Sequence, residues 1–206
     1  AATYAIMGGE LAHLEERLET QFAQKGDQVV AQNLACARSG FETAQKEWEG
    51  RVPIAPTPPQ SVTRRMLLTG SEAFALGALC SGLKLYAGYP MSPATAIMEF
   101  IATRGGAYQV VCEPAEDEIA AINMVIGAAF AGVRSMTATS GGGFALMVEA
   151  LSLAGMTETP TVVIVAQRPG PATGFPTRTE QGDLSFARFA GHGEFPRAIF
   201  APRTIE

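Results

Sequence analysis

From Met66 onward, short apolar runs alternate with stretches of helical period, and the connections between them are short. Residues 84–87, 108–112, 134–138 and 161–166 read as strands. Residues 71–81, 94–103, 116 onward and 144–156 read as helices. A parallel pair of strands needs a long crossover, usually a helix, so regular βα alternation points to one parallel sheet covered on both faces. The expected fold class is therefore α/β, a doubly wound parallel sheet. Ligands of such sheets gather outside the carboxyl ends of the strands. The four loops that follow the strands, 89–93, 113–118, 139–143 and 167–177, are expected to converge on one rim.

The first 48 residues follow a different pattern. Leu11, Leu14, Leu18 and Phe22 recur at spacings of three and four with Glu15, Glu16 and Arg17 between them, which predicts an amphipathic helix. Gly26 and Asp27 break it. A second helix is expected over 29–39, with Gly40 in the position of a left-handed C-cap. Residues 50–61 then carry Pro53, Pro56, Pro58 and Pro59, a composition suited to an extended, semi-rigid linker. Residues 49–65 are thus expected to join a helical unit, 1–48, to the α/β domain, 66–206. A chain of 206 residues fits one full domain plus a piece of another, and the sequence is expected to be a fragment of something longer.

Charge excludes one class of partner. The formal net charge is −5 and no basic block interleaved with aromatics occurs, so the footprint that a phosphate backbone demands is missing and no nucleic-acid binding is expected. Charged residues make up only 17% and hydrophobic ones 47%, a lean surface that predicts coverage by a partner. Cys36, Cys80 and Cys112 lie far apart without CxxC spacing. They are expected to be small buried apolar residues in a reducing compartment, not ligands of zinc or of an iron–sulfur cluster. No apolar run of about 18 residues and no leader is evident, so neither a membrane span nor export is expected and the location reads as cytoplasmic.

The chemistry concentrates between Glu113 and Gly143. Glu116, Asp117 and Glu118 stand where an apolar period begins at Ile119, Ile122, Val125, Ile126 and Ala129. Acids in a first helical turn are favoured by the macrodipole alone. A carboxylate desolvated by Ala120, Ala121, Ile122, Gly127 and Ala128 would instead be raised above its reference pKa of about 4.3, and could share a proton with a heterocycle nitrogen. The residues alone leave open which of the three acids does so. Thr139 to Gly143, TSGGG, ends a strand and opens a helix, where backbone N–H groups could meet an anion or simply allow a tight turn. It has neither the lysine of a P-loop nor the spacing of GxGxxG. Tyr89 to Pro93, YPMSP, fixes backbone direction between two prolines and could aim the Ser92 hydroxyl into a cleft. Arg168, in a Pro/Gly-dense loop, is a candidate carboxylate clamp or a member of a surface ion pair. His13 and His192 are the only histidines and fall in different domains, which disfavours a histidine-based triad or metal centre. His192 reads as a loop residue near a binding rim.

In series, GSEAFALGALCSGLKLYAGYPMSP, AEDEIAAINMVIGAAFAGVRSMTATSGGGFALMVEALSLAGMTE and QRPGPATGFPTRTEQGDL resemble the thiamine-diphosphate pyrimidine domain of the α subunit of 2-oxoacid:ferredoxin oxidoreductases, of the kind with a fused γ domain in front. The resemblance covers most of residues 69–184. FAQKGDQVVAQNLACARSGF is similar to the closing helices of that γ domain, which implies a helical partial γ domain before the α/β domain. The family carries a glutamate nine residues before the first glycine of a GAAxAG-like segment. Here GAAFAG begins at Gly127, which points to Glu118. The resemblance implies that Glu118 hydrogen-bonds N1′ of the aminopyrimidine and so promotes loss of the thiazolium C2 proton. It implies substrate contacts from Ser92, where the family usually has threonine, and from Arg168, which would bind the 2-oxoacid's 1-carboxylate. Tyr89, Pro90, Ser140 and Gly141 would line the cofactor beside Glu118. The family's SGPG reads SGGG here, with Gly142 in place of proline.

The GDG…N motif for diphosphate and magnesium is missing, as is a cysteine cluster, and no metal ligand is expected here. The resemblance therefore implies a β subunit that carries the diphosphate-binding domain, Mg2+ and a four-iron four-sulfur cluster, in a hetero-oligomer whose thiamine diphosphate is shared. The implied reaction is oxidative decarboxylation of a 2-oxoacid, with 2-oxoglutarate preferred over pyruvate, to an acyl-CoA, or its reverse, with ferredoxin and coenzyme A as further partners. One rival is a non-catalytic nucleotide-binding or subunit-assembly module, which needs no buried glutamate. A Rossmann dehydrogenase is disfavoured, because no GxGxxG follows an early strand.

Overall fold

The structure, a computed structural model, describes residues 1–48, 66–171 and 182–202. The chain divides into two compact units, Ala1–Arg65 and Met66–Glu206. The proline-rich linker expected at 49–65 lies outside the described residues.

In the first unit, α1 (Ala2–Ile6) and α2 (Leu11–Phe22) both pack on α3 (Asp27–Trp48). Its small core is Ala5, Phe41 and Ala44, with Tyr4, Ile6 and Leu11 packed against it. Gly40 is not a C-cap: the helix runs through it for another two turns. Phe41 is 4% and Ala44 1% exposed. Burying these two residues outweighs the roughly 1 kcal/mol that glycine costs inside a helix.

The second unit is a four-stranded, all-parallel sheet in the order β2-β1-β3-β4, made of β1 (Leu85–Gly88), β2 (Val111–Pro114), β3 (Ser135–Thr139) and β4 (Val162–Val165). Helices α4 (Gly70–Cys80) and α5 (Thr95–Arg104) cover one face with a core of Leu83, Tyr86, Ile97, Ile101, Met136 and Ala138. Helices α6 (Glu118–Phe130) and α7 (Gly141–Met156) cover the other through Ile122, Ile126, Met147 and Ala150. The fold is thus the doubly wound α/β sheet expected from the alternation. The connection from β1 leads outward to β2 and the next one returns past β1 to β3, so the switch point lies between β1 and β3.

Boundaries moved where local chemistry intervened. Strand β2 starts at Val111 and not at 108, because a 3-10 turn over Gly105–Tyr108 ends in Gln109 at φ 58°. Helix α7 starts three residues early, at Gly141, so the glycines of TSGGG form its first turn and Ser140 is its N-cap. Ile119, counted in the apolar stripe of α6, is 48% exposed. The cysteines depart from expectation as well: Cys36 and Cys80 are exposed and Cys112 is half-buried.

Helix α4 opens with a capping box. The Glu72 N–H donates to Thr69 Oγ1 (3.3 Å), and the Thr69 N–H and hydroxyl donate to Glu72 Oε2 (2.7 and 2.9 Å). These bonds, the backbone one first, hold the Glu72 carboxyl below its ordinary value of 4.5. A depressed folded-state value stabilises above the unfolded value, and that contribution is lost as acid carries the pH down through the folded one. Thr69→Ala should lower stability by about 1 kcal/mol at neutral pH, read as a fall of about 2–4 °C in Tm, with the deficit shrinking in acid. An unchanged Tm at pH 7 would remove the box from the account.

Candidate active site

The loops after all four strands meet at the switch-point end of the sheet. The Ala115 N–H donates to the Gly88 carbonyl (3.0 Å), joining the β2 loop to β1. Thr139 Oγ1 lies 3.9 Å from Met91 Sδ, joining β3 to YPMSP. A guanidinium N–H of Arg168, after β4, donates to the Ser92 carbonyl (3.3 Å), reaching past β3 to the β1 loop. Of the loop expected over 167–177, residues 172–177 lie outside the described ones.

Three adjacent acids have three different environments. Asp117 is the N-cap of α6 and accepts the Ala120 N–H at 2.7 Å, so it serves the helix. Glu116 is exposed. Glu118, the first residue of the helix, turns inward and is only 3% exposed. Space for it comes from Gly143 in the facing turn of α7. A Cβ on Gly143 would fall 2.6 Å from both Cγ and Oε1 of Glu118, and closer still to Oγ1 of Thr139. The surroundings of this carboxyl differ from those read off the sequence. Thr139 and Gly143 flank it, whereas Gly127 is exposed and a Cβ there would meet nothing within 4 Å.

Among the described residues, Glu118 Oε1, Ser140 Oγ and Asp183 Oδ2 are buried without a hydrogen-bond partner, as is Thr137 Oγ1 deeper in β3. A buried polar atom left unpaired costs about 1–3 kcal/mol, and more when it is charged. Three such atoms at the strand ends therefore mark a place built for a polar ligand. A carboxylate oxygen and a hydroxyl fit a heterocycle that offers an N–H and an amino group, so the residues present suit an aminopyrimidine.

They do not suit its diphosphate. The α7 N-terminus, where an anion would sit, already has a carboxylate: Asp183, first residue of α8 (Asp183–Phe189), lies with its Cγ 2.9 Å from where a Cβ on Gly141 would be. Helix α8 is held there by Phe186, whose ring meets Phe144 of α7 edge-on at 5.1 Å. Among the described residues no group of three or more His, Cys, Asp or Glu is placed to hold a metal ion.

Of the other sequence candidates, Tyr89 is 42% exposed and Pro90 and Ser92 are exposed on the rim, Gly141 is half-buried, and Ser140 is fully buried. His192 is not on the rim. Its N–H donates to Ser152 Oγ (2.6 Å), roughly 16 Å along α7 from Gly141. Burial raises both the Tyr86 hydroxyl and the Cys112 thiol above their ordinary values, the latter helped by the Glu113 charge, so neither supplies an anionic nucleophile at neutral pH. Sequence reasoning treated Thr139 and Gly143 only as part of the TSGGG turn and gave Asp183 no role of its own. The alternation of Ser135, Thr137 and Thr139 along β3 was the available sign of a hydroxyl-lined face.

Residues 76–206 match the family described as pyruvate flavodoxin/ferredoxin oxidoreductase, thiamine diphosphate-binding. The chain is similar to subunit alpha of 2-oxoacid:ferredoxin oxidoreductase 1 of Sulfurisphaera tokodaii, 37% identical over 211 residues that are 97% of this chain and 32% of the relative. It is also similar to 2-oxoglutarate synthase subunit KorA of Archaeoglobus fulgidus, 43% identical over 140 residues, 68% of this chain and 40% of the relative. A solved structure, 2-oxoglutarate:ferredoxin oxidoreductase from Magnetococcus marinus with 2-oxoglutarate, coenzyme A and succinyl-CoA bound, superposes with a TM-score of 0.80 at 39% identity, over 95% of this chain and 34% of that one. The chain thus spans about a third of the length of the first of these relatives and of the solved structure.

Proposed function

The chain belongs to the pyruvate flavodoxin/ferredoxin oxidoreductase thiamine diphosphate-binding family, and on that premise we propose that it supplies the aminopyrimidine half of a thiamine-dependent site that oxidatively decarboxylates a 2-oxoacid to an acyl-CoA, or runs the reverse. The observation that carries this reading is the buried Glu118, whose carboxylate has no hydrogen-bond or ion-pair partner among the described residues. Thiamine diphosphate, when bound, supplies the carbanion-stabilising chemistry. Glu118 holds a proton at the pyrimidine ring nitrogen. Tyr89, Pro90, Ser140 and Gly141 form the wall beside the ring. A nucleotide-binding or assembly module needs no such carboxylate.

Arg168 keeps N–H donors beyond the one spent on Ser92, enough to bind a substrate carboxylate, while the Ser92 hydroxyl stands on the same rim. The diphosphate, Mg2+ and a four-iron four-sulfur cluster belong on a partner β subunit, consistent with the Asp183 carboxylate at the start of α7. Ferredoxin and coenzyme A complete the reaction in a cytoplasmic hetero-oligomer. The Archaeoglobus fulgidus relative, a 2-oxoglutarate synthase subunit, and the solved 2-oxoglutarate:ferredoxin oxidoreductase support 2-oxoglutarate over pyruvate. Residues 1–48 are the end of a fused γ domain and 66–206 the pyrimidine-binding domain. The KorA match, 140 residues long, supports that division, being close to the length of the second unit.

Arg168→Ala in the complete complex should raise KM for 2-oxoglutarate roughly 10- to 100-fold, the worth of a hydrogen bond to a charged group, with a smaller change in kcat. Steady-state ferredoxin reduction measures it. An unchanged KM would remove Arg168 from the substrate site, and absence of any 2-oxoacid-dependent reduction by the wild-type complex would sink the reading as a whole.

A further inference from the structure

Building on the assignment of Glu118, we propose that Thr139 is the positioning residue for that carboxylate. Its side chain is fully buried at the end of β3, on the face that α6 covers. Both Thr139 Oγ1 and Glu118 Oε1 lie within 2.6 Å of the point a Cβ on Gly143 would occupy, so the two oxygens are at most twice that distance apart. The bonds the hydroxyl makes elsewhere are long: 3.4 Å to the Ser140 carbonyl and 3.9 Å to Met91 Sδ. A hydroxyl donor held so weakly, beside a buried carboxylate oxygen without a partner, has a lower-energy use in donating to that oxygen.

A donor on one carboxylate oxygen sets the plane of the group and leaves the other oxygen for the ring nitrogen. Gly143 keeps the space beside both oxygens open, because a Cβ there would crowd each of them. Ser140 cannot substitute for Thr139: it is the next residue along the strand direction, so its side chain leaves the opposite way. Thr139 acts through Glu118 and touches no reacting atom.

The test uses the complete complex with Thr139→Val, which keeps the shape and removes the hydroxyl, and Thr139→Ser, which keeps the hydroxyl and removes the methyl. Two readouts are taken: kcat and KM for 2-oxoglutarate, and the affinity for thiamine diphosphate by calorimetry. Thr139→Val should lose about 10-fold or more in kcat, with KM for the 2-oxoacid unchanged and cofactor binding weakened by a similar factor. Thr139→Ser should stay within a few-fold of wild type in both. If Thr139→Val does not assemble, Thr139→Ala takes its place and is read the same way. In a Glu118→Gln background the valine change should cost little more, since its partner is already altered. Wild-type behaviour of the valine variant, or a serine variant as impaired as valine, overturns the proposal. Full activity of Glu118→Gln alone overturns the Glu118 assignment instead, which keeps the two failures distinct.

Discussion

Gly143→Ala should impair both stability and activity of the complex, although it adds a single methyl group. That methyl would overlap Thr139 Oγ1 and lie 2.6 Å from Cγ and Oε1 of Glu118, closer than carbon and oxygen approach without a bond. The atoms met are side-chain atoms of Thr139 and Glu118, both buried, so relief requires moving one of those side chains inside the core. Overpacking of this kind typically costs about 1–3 kcal/mol, enough to lower Tm by several degrees. Relief by displacing the Glu118 carboxyl would cost activity as well. Misplacing a catalytic group by about 1 Å is worth roughly 100-fold in rate. Thermal denaturation and kcat, measured together, should both fall. Gly142→Ala, at an exposed position in the same turn, provides the control for helix propensity. Equal behaviour of the two variants would show that the close approach at Gly143 is not what matters.

Glu118→Gln should leave the fold intact and reduce kcat by roughly 100- to 10,000-fold, the usual range for loss of a positioned acid–base group. Glutamine fits the same space and removes the charge and the capacity to hold a proton at the ring nitrogen. Because Oε1 lacks a partner among the described residues, the neutral amide breaks no internal ion pair, and Tm should be retained or rise slightly. Glu116→Gln and Asp117→Asn separate this role from a general effect of negative charge at the helix entrance. The first should be silent, and the second should lower Tm through the lost cap with little effect on kcat. Equal loss of kcat in all three would mean that the local field, not the buried carboxylate, promotes the reaction.

Much of this fold was legible because the strands are apolar runs bounded by glycine and proline, and the helices carry a clean 3.6 period. Two of the helix boundaries differ for one physical reason. Gly40 reads as a C-cap and residues 139–143 as a loop before the helix, since glycine is the poorest ordinary helix former. Tertiary packing overrode that preference: Phe41 and Ala44 hold α3 together across Gly40, and Glu118, Thr139 and Asp183 occupy the space that side chains at Gly143 and Gly141 would fill. Such space is invisible in one dimension. The candidate site divides the same way. The resemblance pointed to Glu118 by its spacing from Gly127, and the structure distinguishes the three acids by burial and capping. Asp183 gave no sequence signal, because its meaning depends on α8 docking against α7 through Phe186 and Phe144.

The central claim is that Glu118, and not its neighbours, meets the pyrimidine ring nitrogen of thiamine diphosphate. A structure of the complete complex with thiamine diphosphate bound tests it most directly. The account predicts a Glu118 carboxylate oxygen about 2.6–3.2 Å from that nitrogen, with the ring against Ser140 and Gly141 and the diphosphate held by the partner subunit. A ring nitrogen met by Glu116 or Asp117, or a diphosphate seated on the first turn of α7 where Asp183 now lies, would contradict it.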